Sequence, residues 1–204
     1  MVKSSSKKSI EDLEKQLLKK NKDLNEKYLE LETILDLTNT INSLDDLNDL
    51  FFNVLTLSSS IINSSKGVVL LKNDVSNIFD SVSFFNIDES IIKKQIFNMR
   101  SEFLKSLSKK QKGFIVSKDD NFNHQLFKSS YAIISPIIYN KKLVGAIILL
   151  DKETRKGVVD FDSNDKKLLE AISIQTSIAY QNVKLLESLK KSNKLNENIM
   201  SSIT

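Results

Sequence analysis

Side chains able to do chemistry are few and scattered in this chain. Its 204 residues include no Cys and one His. That removes disulfides, thiolate metal sites, cysteine nucleophiles, thioether attachment of a chromophore and any multi-histidine metal centre. His124, in the run Asn121-Phe122-Asn123-His124-Gln125, has the chemistry of a haem ligand or a general base. A lone imidazole in a polar loop is more commonly solvated or in contact with a ligand. Asp119-Asp120 offers two carboxylates to a hard cation, but adjacent acids in a charged loop are ordinarily just hydrated. There is no glycine-rich phosphate loop, no metal-spaced cluster and no serine nucleophile elbow. The expected chemistry is recognition by a binding module, not catalysis by an enzyme.

Charge narrows the partners. Thirty basic residues stand beside 26 acidic ones, for a net charge of +4, and the two signs are interspersed. Lysine dominates, with Arg100 and Arg155 the exceptions. Nucleic-acid binding calls for a one-sided basic stripe with base-contacting Arg or aromatics, so it is not expected. The composition, 40% apolar and 27% charged, is that of a soluble globular chain. The longest strongly apolar stretch, Leu143 to Leu150, is strand-sized and far short of the ~20 residues of a membrane span. The opening Met1-Val2-Lys3-Ser4-Ser5-Ser6 lacks the apolar core of a signal peptide. The expectation is a cytoplasmic protein with no membrane contact.

The elements that must position any site follow from periodicity. Four Gly and one Pro leave little punctuation, which favours long helices. From Ile10 to Ile41 a heptad can be laid through Leu13, Leu17, Lys20, Leu24, Lys27, Leu31, Ile34 and Thr38. This reads as a coiled-coil seam weakened by two lysines. Ser43 with Asp46 resembles a capping box for a helix to about Asn63, whose face carries Leu47, Phe51, Val54, Leu55, Ser58 and Ile62. Strands are expected over Lys66 to Lys72 and Ile78 to Phe85. Asp88 then caps one helix bearing Ile92, Ile96, Met99, Phe103 and Leu107. A strand over Gly113 to Lys118 precedes a polar segment, Asp119 to Ser130. Tyr131 to Tyr139 and Leu143 to Asp151 form an antiparallel hairpin around Asn140-Lys141-Lys142. Pro136 marks an edge or a bulge in the first of these, whose regular strand is expected to begin after it. Lys152 to Asp162 reads as a loop. Asp162 or Ser163 caps a long last helix with Leu168, Leu169, Ile172, Ile178, Ala179, Val183, Leu186 and Leu189 on its apolar face. Short-linked antiparallel strands flanked by helices from both chain ends make an α+β domain.

Three stretches in this order carry a family resemblance. They are Ser135-Pro136-Ile137-Ile138-Tyr139, then Val144-Gly145-Ala146-Ile147-Ile148-Leu149-Leu150, then Phe161-Asp162-Ser163-Asn164-Asp165 entering Lys167-Leu168-Leu169-Glu170-Ala171-Ile172. With the helix from Leu44 to Ile62 and the strand Gly67-Val68-Val69-Leu70-Leu71, they resemble the GAF domain, a small-molecule-sensing regulatory module. The resemblance spans residues 43–190. It implies a central antiparallel sheet with the first and last long helices on one face and ligand-pocket segments on the other. Residues 1–42 then form an N-terminal coiled-coil helix for dimerisation, and residues 191–204 a C-terminal helical extension. Residues 86–130 are the material left to cover the second face, and they mix aromatic with polar side chains as small-molecule pockets do. The expected ligand-lining residues are Phe114, Val116, Phe122, His124, Phe127, Ser129 and Ser135. No cofactor is identified.

Departures from the family matter. Cyclic-nucleotide-binding members carry an Asn-Lys, a later Phe and an Asp-Glu, where this chain has Asp151-Lys152, Phe161 and Asp165-Lys166. A salt bridge between Lys152 and Asp165 remains possible, and with it the structural role of the motif. Covalent bilin attachment and the family's cysteine-dependent methionine sulfoxide reductases are excluded. The expected function is a sensor that binds a small molecule and signals through the helices of a homodimer to an effector domain or partner signalling protein. The alternative is a ligand-free dimerisation module.

Overall fold

The computed structural model describes residues 15–22, 46–73, 76, 78–94, 97–99, 101–117 and 129–203. The chain divides into two units, residues 1–37 and 38–204. In the first, residues 15–22 are helical, with Leu17 and Leu18 exposed. Apart from Leu17 and Lys20, the positions of the expected heptad seam lie outside the described residues.

The described residues of the second unit begin at Asp46. Its carboxylate accepts from the backbone N–H groups of Asn48 (2.7 Å) and Asp49 (3.3 Å) and starts helix α1, Leu47–Ile62. Asp46 is therefore the cap itself, where the sequence suggests Ser43 with Asp46 as its distal partner; Ser43 lies outside the described residues. The helix buries Leu50, Phe51, Val54, Leu55, Ser58 and Ile62. It ends at Asn63 in the left-handed region, φ 58°, a conformation Asn tolerates better than most residues.

Among the described residues the sheet has seven strands: β1 Ser64–Lys72, β2 Ile78–Phe85, β3 Phe97–Asn98, β4 Phe114–Val116, β5 Ala132–Tyr139, β6 Lys142–Thr154 and β7 Gly157–Val159. The order across it is β3-β2-β1-β6-β5-β4, with β7 also paired to β6, and every pairing is antiparallel. The β5–β6 hairpin turns on Asn140 and Lys141, both at positive φ (48° and 60°). Two such residues in succession match the twist of the strands they join.

Helices α2 (Glu89–Lys94) and α3 (Glu102–Lys110) cover one face of the sheet. Val68, Leu70, Val116, Ala132, Ile134, Ala146, Ile148 and Leu150 point to that side and pack with Phe103, Leu104 and Leu107. The alternate residues Val69, Ile133, Ile147 and Leu149 are fully buried on the other face. There α1 packs with α4, Ser163–Ile203. Phe51 and Tyr180 link those two helices, ring centroids 6.3 Å apart.

Four local expectations change. The single helix after Asp88 is two, because Phe97 and Asn98 pair with Phe79 and Ile78 and so extend the sheet edge. Lys152 to Asp162 is not all loop, since β6 runs on to Thr154 and turns back as β7. Strand β5 begins at Ala132, ahead of Pro136. Pro136 is tolerated because β4 pairs no further than Ile134, leaving its missing donor at an open edge beside the bulge at Ile137/Ile138. On α4, Ile178, Leu186 and Leu189 are exposed, while Tyr180 joins the buried face.

Candidate functional site

The residues expected to line a ligand separate. Phe114 and Val116 lie on β4 and face α2 and α3; Val116 is buried in the core and Phe114 packs against its margin. Ser129 is buried just ahead of β5. Ser135 is also buried, but strand alternation turns it to the opposite face, toward α4. Phe122, His124 and Phe127 lie outside the described residues. Phe114 and Val116 are thus together, and Ser135 is not with them.

Two ion-paired clusters lie side by side near the C-terminal end of β6. Asp151 sits at φ 53°, and its Oδ1 accepts from the N–H groups of Ser130 (2.7 Å) and Tyr131 (3.1 Å). Its Oδ2 meets Lys66 Nζ at 3.0 Å. Asp151 therefore orients the chain where it enters β5. One residue on, Lys152 Nζ reaches Asp165 Oδ2 at 2.6 Å and Asp162 Oδ2 at 3.5 Å. This is the salt bridge expected from the sequence, and it fastens β6 to the start of α4.

That helix start is closed reciprocally. Asp162 Oδ1 accepts from the N–H groups of Asn164 (2.7 Å) and Asp165 (3.0 Å), while Asp165 Oδ2 accepts from the N–H of Asp162 (2.8 Å). The arrangement is a capping box made with two aspartates. The backbone N–H of Asp165 holds the Asp162 carboxyl below its ordinary value of 3.8; burial opposes it, and the N–H of Asn164 and the charge of Lys152 add to the lowering. A carboxyl depressed in the fold contributes stability above its unfolded pKa and loses it as pH falls through the folded one. Stability is therefore expected to decline as pH drops below about 4. Asp162→Asn keeps the cap acceptor but removes the titration, so it flattens part of that decline. Asp162→Ala also loses the cap, at about 1 kcal/mol across the whole range. Urea midpoints measured between neutral and acid pH test this. Parallel profiles for wild type and Asp162→Asn would show that Asp162 does not contribute to the acid limb.

Among the described residues there is no group of His, Cys, Asp and Glu arranged to hold a metal ion, and no helix long and apolar enough to cross a membrane. The polar chemistry around β6 is salt-bridged anchoring of a packed sheet.

Comparisons with known proteins agree with this architecture. The structure is similar to the GAF domain of a phosphoenolpyruvate-protein phosphotransferase from Acinetobacter, with TM-score 0.62, 13% identity, and 77% of this chain and 95% of that one covered. It is similar to residues 122 to 287 of a methyl-accepting chemotaxis protein, with TM-score 0.60, 10% identity, and coverage of 74% and 98%. It also resembles a free methionine-R-sulfoxide reductase from Neisseria meningitidis solved with its substrate, with TM-score 0.64, 11% identity, and coverage of 78% and 92%. No curated protein sequence matches the chain. At these identities the structural likeness establishes the fold, and the family follows from sequence: the GAF domain profile matches residues 46–180. With that match across most of the folded unit, the chain belongs to the GAF domain family.

Proposed function

We propose that this chain is a regulatory sensor that binds a small molecule and passes its state to an effector through paired helices. GAF domains are sensor and regulatory modules of signalling proteins and commonly stand beside effector domains. The reading of this member as a binder, not a catalyst, draws on a sequence without Cys and with a single His.

The observation that carries the proposal is on α4. Ile174, Ile178, Gln181, Leu185, Ser188, Ser192 and Leu195 follow one another at spacings of four and three, and all are exposed. Alternate four and three spacing is the seam of a left-handed coiled coil. The stripe lies apart from Leu169, Ile172, Thr176, Ala179 and Val183, which are buried. A second copy of the chain supplies the apolar surface that Ile174, Ile178, Leu185 and Leu195 lack. Light scattering coupled to size exclusion at micromolar protein is expected to give twice the 23.2 kDa chain mass. Leu185→Asp with Leu195→Asp, at positions 59% and 61% exposed, should return the mass to one chain without unfolding it. A wild-type mass of one chain would remove the dimer from the mechanism.

The alternative, a dimerisation module without a ligand, is favoured by the dense packing of Val116, Ala132 and Ile134 against α3. A thermal-shift panel of nucleotides, amino acids, 2-oxoacids and haem separates the two. A ligand at 100 times its dissociation constant adds about 2.7 kcal/mol, and a flat panel supports the ligand-free reading.

A further inference from the structure

The sheet face under α4 contains a half-open cavity of about 560 Å³, set between that helix, strand β5 and the residues Gln111, Lys112 and Gly113 that lead into β4. Its volume lies within the range of small-molecule sites, roughly 300–1,000 Å³. It is on the opposite side of the sheet from the face where the family resemblance placed the ligand.

Two side chains lining it are out of keeping with a filled core. Ser135 (1% exposed) and Ser173 (2%) are buried, and the hydroxyl of each lacks a hydrogen-bond partner. Buried hydroxyls are nearly always paired, and an unpaired one calls for a reason. A third serine on the same wall shows the usual pattern. Ser177 Oγ donates to the Ser173 carbonyl (2.7 Å) and accepts from the Ile138 N–H (3.0 Å), a donor beside the β5 bulge. The hydroxyls of Ser135 and Ser173 therefore remain for something that enters the cavity.

The wall along α4 presents its chemistry in sequence. Lys166 comes first, then Glu170 one turn later, then Ser173, then Ile174 and Ile178. Glu170 is fixed in place because its Oε1 accepts from the Gly113 N–H at 2.9 Å. Gly113 leaves room for this: a Cβ there would stand 2.9 Å from the Ile134 carbonyl oxygen and 3.2 Å from Glu170 Cγ. A cation, an anion, two free hydroxyls and an aliphatic patch in that order complement a carboxylate, an ammonium and an apolar side chain on one small molecule. We propose that this cavity binds a free α-amino acid with an aliphatic side chain. Lys166 meets the carboxylate, Glu170 and the hydroxyls of Ser135 and Ser173 accept from the ammonium, and Ile174 and Ile178 take the side chain. The proposal does not depend on a ligand under α2 and α3; Ile174 and Ile178 also open the exposed α4 stripe, so an amino acid and a second copy of the chain compete for them.

The test is titration calorimetry on the full chain with L-leucine, isovalerate (no ammonium) and isopentylamine (no carboxylate). L-leucine is expected to bind once per chain, and each analogue at least about tenfold more weakly. Ser135→Ala with Ser173→Ala should weaken L-leucine about tenfold or more, while the melting temperature of the free protein holds or rises because two unpaired hydroxyls are gone. Glu170→Gln keeps an acceptor for Gly113 and removes the charge, so it should erase the preference for L-leucine over isovalerate. That second variant decides the matter should the serine pair fail to fold. The proposal is overturned if L-leucine gives no heat up to about 10 mM, if isovalerate binds as well to the wild type, or if neither variant changes affinity. The same titrations on Leu185→Asp with Leu195→Asp, in which no second copy covers Ile174 and Ile178, are expected to give equal or tighter L-leucine binding, so a failure of the dimer and a failure of the site are read separately.

Discussion

Lys152→Met is expected to lower the unfolding free energy by about 3 kcal/mol. The Asp165 side chain is 8% exposed and the Lys152 side chain 17%, so their 2.6 Å contact is largely shielded from water. Methionine retains most of the aliphatic stem and removes the ammonium, which strands the Asp165 carboxylate with one donor, the Asp162 N–H. Breaking one side of a shielded pair costs more than the pair contributes, because a buried charge is left behind. The double variant Lys152→Met with Asp165→Asn should accordingly recover at least half the loss, since Asn still accepts from Asp162. Urea denaturation at neutral pH, compared at constant slope, provides the measurement. A single-variant loss under about 1 kcal/mol, the scale of a solvated surface pair, would show that the anchor carries no structural weight.

Gly145→Ala is the second large effect, expected at about 3 kcal/mol or more, the upper end of overpacking costs. A Cβ at this position would lie 2.5 Å from the Leu70 carbonyl oxygen, with Ile137 Cδ1 at 3.2 Å and Leu71 Cδ1 at 3.4 Å. The obstructing atom belongs to the backbone of β1, whose Leu71 pairs with Gly145 itself. Overpacking a core ordinarily costs 1–3 kcal/mol when side chains can move aside. Here the ladder between β1 and β6 must give way instead. The comparison is Gly157→Ala, where a Cβ meets nothing within 4 Å and the cost comes only from φ of 103°. Guanidinium midpoints of the two variants would be inconsistent with this account if Gly145→Ala were the milder.

What the sequence made legible depended on how much of each signal was local. Helix α1 is legible in Phe51, Val54, Leu55 and Ile62 at helical spacing, and the β5–β6 hairpin in two apolar runs around Asn140-Lys141. The Lys152–Asp165 bridge followed from the family motif and is present. The break between α2 and α3 was hidden because Ile92, Met99, Phe103 and Leu107 keep an approximate helical period across it. Phe97 breaks from the helix through pairing with Phe79 on β2, a partner distant in sequence. Leu50 is absent from the expected buried face of α1 and Ile178 wrongly on that of α4 for a related reason: an apolar residue on a helix does not announce which of two neighbours it serves. The site was less legible still. Ser135 is expected beside Phe114 and Val116, yet the two-residue period of β5 turns it toward α4. The alternation of Ile134, Ser135 and Pro136 was available in the sequence, but which face met which helix was not. The unpaired state of Ser135 and Ser173 is a tertiary fact with no sequence signature.

Helix α4 has its last described buried side chain at Val183 and runs on to Ile203, an overhang of about 30 Å at 1.5 Å per residue. Such a rod is a lever with fixed gain. A tilt of about 5° at Val183 carries its far end through roughly 2.6 Å over that length, so a subtle repacking of the sheet becomes a displacement comparable with a shift of side-chain register. The same rod also carries an angular phase. Each residue added turns the output face by about 100°, and seven restore it to within about 20°. Whatever is coupled to the end of α4 therefore receives both a swing and an orientation, and the residue count between Val183 and that coupling point sets the sign of the response.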